Sequence, residues 1–249
     1  MDSYKEQAKA ARLKVLDMIY KAKSCHIGSN LSVIDILTVL FANLSDNDQI
    51  VLSAGWKAAS FYYFLAQRGS FEQGLLDTYN QESSSLIGLT EPGVPGVLFA
   101  GGSMQMGLPA AVGFALAKKI KGEEGRVFCI ISDGELAGGM IWESSLISAH
   151  HKLDNLTVLV DCNEFQAMGK TKEILDSYFP DRGWDVQEVD GHDHTLIDVV
   201  LNNVSLEKPS VILCNTIKGK GVSFMERNNF YHYKDLDDSE YERAKAELS

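Results

Sequence analysis

The sequence is short of cysteine, of basic residues and of long apolar runs. Cys25, Cys129, Cys162 and Cys214 are scattered through 249 residues with no C-x-x-C pair. That pattern argues against both a zinc site and a disulfide framework, so reduced, buried thiols are expected. No apolar run reaches the roughly 18 residues that a membrane-spanning helix needs. The polar start, Met1-Asp2-Ser3-Tyr4-Lys5-Glu6, carries no apolar signal core. Lys and Arg number 23 against 34 Asp and Glu, a formal charge of −11. Nucleic acid and anionic membranes both select clustered Lys and Arg, so neither is an expected partner. A soluble, cytoplasmic protein is the expectation. No internal repeat or low-complexity tract breaks the chain.

What is present is an ordinary globular balance, with 45% of residues apolar, enough for one large domain over residues 1–249 to bury a core unaided. Residues 4–23 carry Leu13, Leu16, Ile19 and Tyr20 at helical spacing. Ser32 is a candidate N-cap for a second helix carrying Val33, Ile36, Leu37 and Leu40. A short strand is expected at Gln49–Leu52, a helix over 56–68, and a loop in the Ser-, Gly- and Pro-rich stretch 83–102. From there helices and strands alternate regularly. Helices are expected over 104–119, 140–151, 172–178, 195–204 and 238–248. Strands are expected at Val127–Ile131, Leu156–Val160, Asp185–Val189 and Ser210–Cys214. Short, nearly continuous apolar strands between helices predict an α/β fold, a parallel sheet with helices on both faces.

In such sheets ligands sit beyond the carboxyl ends of the strands. Two of those ends carry oxygen-bearing side chains: Ser132-Asp133-Gly134 and Asp161-Cys162-Asn163. Asp133 and Asn163 lie about 30 residues apart with one helix between, a spacing that sets neighbouring parallel strands side by side. A carboxylate, a carboxamide and a nearby carbonyl are hard ligands suited to Mg²⁺ or Ca²⁺ bridging a diphosphate. Gly134 would allow a phosphate close to the backbone. An isolated Asp-Gly is more often an ordinary turn, so the wider pattern has to decide.

That wider block runs from Ser132-Asp133-Gly134-Glu135 through Trp142-Glu143 and Ala149-His150-His151-Lys152-Leu153-Asp154-Asn155-Leu156 to Asn163. It resembles the thiamine-diphosphate motif of transketolases. Lys23-Ser24-Cys25-His26-Ile27-Gly28 is similar to the family's K-S-G-H-P-G. Gly102-Ser103-Met104-Gln105-Met106-Gly107-Leu108 is similar to G-S-L-G-Q-G-L. Val189-Asp190-Gly191-His192-Asp193 and Lys218-Gly219-Lys220-Gly221 extend the likeness over nearly the whole chain.

The resemblance implies thiamine diphosphate and Mg²⁺ (or Ca²⁺) as cofactors. Asp133, Asn163 and the backbone carbonyl of Phe165 would ligate the metal. Gly134 would contact the diphosphate, with Gly102, Met104 and Trp56 also beside the cofactor. His26 and His232 match family histidines of the active site. His150 and His151 suit packing or interface roles, and nothing is assigned to His192 or His194. The family's pyrimidine-binding and C-terminal domains are expected on a separate partner chain, which would supply the activating glutamate in an α2β2 assembly. The implied reaction transfers a two-carbon ketol unit from a ketose to an aldose or aldehyde, with small sugars as substrates.

Three departures from the family pattern stand out. Trp56 takes the place of a histidine facing the diphosphate and substrate. Ile87-Gly88-Leu89 occupies a region where another histidine is expected. Gly138 replaces a glutamate that in the family helps link paired active sites, while Glu143 is kept. Exchanging two imidazoles for indole and aliphatic surface removes partners for sugar hydroxyls, each costing on the order of 1–3 kcal/mol if left buried and unpaired. A non-standard substrate follows, such as a deoxy sugar or a less polar aldehyde. Two other readings are a component of a related thiamine-dependent synthase, and a non-catalytic cofactor-binding chain that stabilises its partner. The retained H-H-K-L-D-N-L and K-G-K-G blocks count against the first, and the intact Asp133, Gly134 and Asn163 against the second.

Overall fold

A computed structural model describes residues 2–166, 169–171 and 183–249. Seven strands and seven α-helices are defined among them. Strand β1 is Gln49–Leu52, β2 Val127–Ser132, β3 Leu156–Cys162, β6 Asp185–Asp190 and β7 Ser210–Asn215. These five form one wholly parallel sheet in the order β1-β2-β3-β7-β6. Two dipeptides, β4 (Phe165–Gln166) and β5 (Gly169–Lys170), pair antiparallel just after β3. The helices are α1 (Asp2–Lys21), α2 (Ile27–Asn43), α3 (Ala58–Gln67), α4 (Gly107–Lys121), α5 (Gly139–His150), α6 (His194–Asn202) and α7 (Asp238–Leu248). The helix expected over 172–178 lies outside the described residues.

The sheet is covered on both faces because its central strands are apolar in both side-chain directions. Along β2, Phe128 and Ile130 join the core that includes residues of α1, α2, α3, α6 and α7. The alternate residues Val127, Cys129 and Ile131 join a second core with Leu108, Ala111, Val112 and Ala115 of α4 and Ile141 of α5. A continuous apolar run with period two thus feeds two separate cores. Helix α2 is buried from Ile27 to Leu40. Arg12 of α1 meets Asp35 on it in a buried ion pair.

One expected boundary is wrong. Helix α2 begins at Ile27, not after Ser32, and its N-cap position is His26 in a left-handed conformation (φ 68) with no side-chain cap. Ser32 lies inside the helix, where its hydroxyl donates to Asp161 at 2.6 Å. A residue type typical of helix caps is used here for a tertiary contact. By contrast α6 starts where its chemistry directs, with the Asp193 carboxylate accepting from the N–H groups of Thr195 and Leu196. The expected helix at 56–68 is split into a 3₁₀ turn over Gly55–Lys57 and α3. The helix expected from 104 starts at Gly107, after Gln105 in the left-handed region (φ 73).

Candidate active site

Because the strands are parallel, β1, β2, β3 and β7 end on one edge, delivering Ser53, Asp133, Asn163 and Thr216 to it. A buried polar layer fastens these ends. Asp161, on β3, forms a salt bridge with Lys57, both fully buried, and accepts hydrogen bonds from Ser32 and Thr216. Burial alone would raise its carboxyl, yet the Lys57 ammonium and these bonds hold it below the usual range. Glu135 is equally buried and accepts from Ser53 Oγ (2.6 Å), the Gln105 N–H (2.8 Å) and the Ser132 N–H (2.9 Å). It ties the ends of β1 and β2 to the loop before α4. Two loops also meet there backbone to backbone. A Cβ on Gly55 would lie 2.2 Å from the carbonyl oxygen of Gly101.

Above this layer lies a cavity of about 110 Å³. His26 and His232 line it, with ring centroids 5.0 Å apart, and the His26 N–H donates to the His232 carbonyl at 3.0 Å. Tyr233 packs edge-on against both rings. Lys218, 1% exposed, donates from Nζ to Asn229 Oδ1 (2.7 Å) and to His232 Nδ1 (2.8 Å). With Nδ1 accepting, the proton of a neutral His232 sits on Nε2. Cys25 Sγ lies 2.9 Å from His26 Nδ1. Burial, reinforced by the Lys218 charge, lowers both imidazoles to about 4. Burial and then Lys57 lower Lys218 to about 8. Near neutral pH the cavity therefore holds two uncharged imidazoles beside one buried ammonium.

The expected residues are brought together in large part. Trp56, Met104, Gly134, Asn163 and Phe165 all line the cavity with the two histidines. Gly102 is exposed and does not line it. Asp133 is fully buried and also outside the lining. Its Oδ1 accepts from the Gly134 N–H (2.9 Å), and its Oδ2 from the Glu164 N–H (2.8 Å) and Thr171 Oγ1 (2.6 Å). Burial, with Asp161 adding to it, raises this carboxyl to about 6. A carboxylate offers about four lone-pair sites, so Oδ1 keeps one for a cation. Asn163 Oδ1 accepts the Phe165 N–H at 3.2 Å. No group of three His, Cys, Asp or Glu side chains is placed to hold a metal among the described residues. One carboxylate, one carboxamide and one carbonyl instead fit a hard cation that fills its shell with water and phosphate oxygens.

His150 and His151 lie at the end of α5, and Ile87 is at the surface, all outside the lining. Cys129, Cys162 and Cys214 are buried and free, as expected, while Cys25 is partly exposed. Lys57, Ser29 and Tyr233 carry no sequence signal that sets them apart, and Lys218 has only its place in the K-G-K-G block. A larger cavity, about 770 Å³, is lined by Arg12, Asp35, His192 and His194. It shares no lining residue with the smaller one, and it mixes cationic and anionic groups without converging on one feature. The smaller cavity, where the strand ends and the paired histidines meet, is the better candidate for chemistry.

Comparison with known proteins points the same way. The family description "Transketolase, thiamine diphosphate binding domain" matches residues 3–249. One of the two subunits named for apulose-4-phosphate transketolase in Actinobacillus succinogenes is 34% identical, covering 99% of this chain and 96% of that protein. The 6-deoxy-6-sulfo-D-fructose transketolase subunit SqwG of a Clostridium species is 35% identical, covering 97% and 94%. Among solved structures, transketolase from Campylobacter jejuni superposes with a TM-score of 0.89 at 26% identity, over 100% of this chain and 43% of that one.

Proposed function

The chain belongs to the transketolase family as its thiamine diphosphate binding domain, and from that premise we propose that it is the N-terminal subunit of a split enzyme. Its relatives of matching length are themselves named as transketolase subunits, so a second polypeptide completes the catalyst. That partner would contribute the pyrimidine-binding part and the activating glutamate, in an α2β2 assembly. The reaction is transfer of a two-carbon ketol unit from a ketose to an aldehyde acceptor. The observation that carries this reading is the convergence of His26, His232 and Lys218 with Gly134 and Asn163 in one cavity at the carboxyl ends of β2 and β3.

When bound, thiamine diphosphate supplies the carbon nucleophile that takes up the two-carbon unit. The residues of this chain bind and orient around it. Asp133 and Asn163 would hold the divalent cation with the Phe165 carbonyl, and Gly134 leaves room for the diphosphate. Lys218 offers a buried positive charge to the same anion. His232, its Nδ1 occupied by Lys218, presents Nε2–H to a substrate oxygen on which charge develops. His26, held neutral beside it, can do the same or accept a hydroxyl proton.

The substrate differs from the common sugar phosphates, because Trp56 and Met104 form apolar wall where imidazole hydrogen bonding is expected. The relatives named for apulose 4-phosphate and 6-deoxy-6-sulfo-D-fructose take their names from sugars of altered skeleton or substituent. A ketose of that modified class is the proposed donor. Calorimetric titration of thiamine diphosphate with Mg²⁺, into this chain alone and with its partner, tests the reading. Tight binding only in the complex supports a shared site. Absence of binding in both states refutes the cofactor role.

A further inference from the structure

His192 lies outside the cavity, in the turn between β6 and α6, yet both of its ring nitrogens are committed. Nε2 accepts the backbone N–H of Ile217 at 2.8 Å, so that nitrogen carries no proton. Nδ1 faces Asp35 Oδ2 at 2.6 Å and donates to it. Asp35 is 4% exposed and also accepts from Arg12 and from His194 Nε2 (2.8 Å). The Asp35 carboxylate is therefore held from three sides, and it fixes the tautomer and orientation of His192.

Ile217 immediately precedes Lys218. Around this lysine the backbone is held at three amides: Thr216 N–H to the Cys162 carbonyl (3.1 Å), Ile217 N–H to His192, and Gly219 N–H to the Gly28 carbonyl (2.9 Å). The first and third are backbone contacts that almost any sequence could make. The second is the one made by a side chain. Helix α2 carries both ends of the arrangement, with His26 at its N-cap and Asp35 more than two turns on.

We infer that His192 is a positioning residue for Lys218, transmitting the anchorage of Asp35 to the peptide beside the cavity lysine and so setting the Lys218–His232 hydrogen bond. The inference rests on reading the His26–His232–Lys218 cavity as the reaction site. It predicts that the protonated nitrogen of His232 depends on an acceptor at position 192, although the two side chains do not touch.

Two near-isosteres separate this role from simple packing. The Gln carboxamide oxygen falls close to the place of histidine Nε2, so His192→Gln keeps an acceptor for Ile217 and loses the Asp35 bond. The Asn amide nitrogen falls close to Nδ1, so His192→Asn keeps the Asp35 bond and loses the acceptor. Imidazole nitrogen shifts of ¹⁵N-histidine-labelled protein are measured on the full chain. Wild type and His192→Gln are expected to show His232 as a single Nε2–H tautomer, and His192→Asn and Lys218→Met as a mixture. In the complex with the partner chain, His192→Asn is expected to bind thiamine diphosphate with Mg²⁺ roughly tenfold more weakly than His192→Gln. An unchanged His232 signature in His192→Asn, or in Lys218→Met, overturns the inference. If the tautomers shift as expected but no variant or wild type binds the cofactor, the functional reading fails and the positioning role stands.

Discussion

The side chain of Gln105 occupies the space that a side chain at Gly138 would need. A Cβ on Gly138 would lie 1.6 Å from the Gln105 amide carbon. The two departures from the family pattern in this region are therefore one reciprocal exchange, in which a glycine becomes glutamine at 105 and a glutamate becomes glycine at 138. The carboxamide is neutral, so whatever charge the family places there is absent from this chain.

Restoring only one half of the exchange should fail. Gly138→Glu is expected to lower stability by about 1–3 kcal/mol through overpacking against Gln105. Gln105→Gly/Gly138→Glu should recover most of that loss, since it removes the clash and relieves a non-glycine residue from positive φ. Thermal denaturation of the two variants checks this. Equal melting points for single and double variants would contradict it.

The Lys57–Asp161 pair makes a second prediction. Both side chains are fully buried, so Lys57→Met strands a carboxylate and should cost about 3–5 kcal/mol. Asp161→Asn combined with Lys57→Met should cost less than Lys57→Met alone, because no unpaired charge is left at this pair. Urea denaturation midpoints of the single and double variants measure the coupling.

Protonation of the paired histidines should destabilise the fold at acid pH. Both are depressed to about 4 from an ordinary value of 6.5. A depressed folded-state value favours the neutral form, so the contribution is full above about pH 6.5 and is lost as pH falls toward 4. Both rings are partly exposed, which reduces the effect to on the order of 1 kcal/mol each. Melting temperature should fall less steeply between pH 6.5 and 4 in His26→Phe than in wild type. Identical slopes would count against the burial of these rings.

Trp56 should govern substrate choice. Trp56→His restores a hydrogen-bonding ring on the cavity wall and is expected to move kcat/KM by roughly tenfold toward donors carrying an extra hydroxyl. The comparison needs the assembled enzyme and a matched pair of sugars, one with the hydroxyl and one without. No change in the ratio would reduce Trp56 to a space filler.

How much of this is legible in the sequence depends on whether the signal is local. The parallel sheet is, because β2 and β3 read as unbroken apolar runs and alternate between two cores. So is the gathering of His26, His232 and Asn163, through motif matches along the chain. The start of α2 is not, because Ser29, Asn30 and Ser32 look like caps but bond to His26, Trp56 and Asp161 instead. Lys57 and Lys218 read as surface residues. Each is buried by a partner or packing neighbour far along the chain, and no periodicity reports that. The bonds of Asp133 to Glu164 and Thr171 are hidden for the same reason.

The contact between Gly55 and Gly101 sets a boundary for anyone wishing to redesign specificity. At this crossing even a methyl group would strike main-chain atoms rather than a side chain that could swing aside. Libraries that randomise Trp56 and Met104 can thus vary the wall freely, provided those two glycines are held constant. Diversity introduced at the crossing itself would be wasted on proteins whose two loops no longer meet.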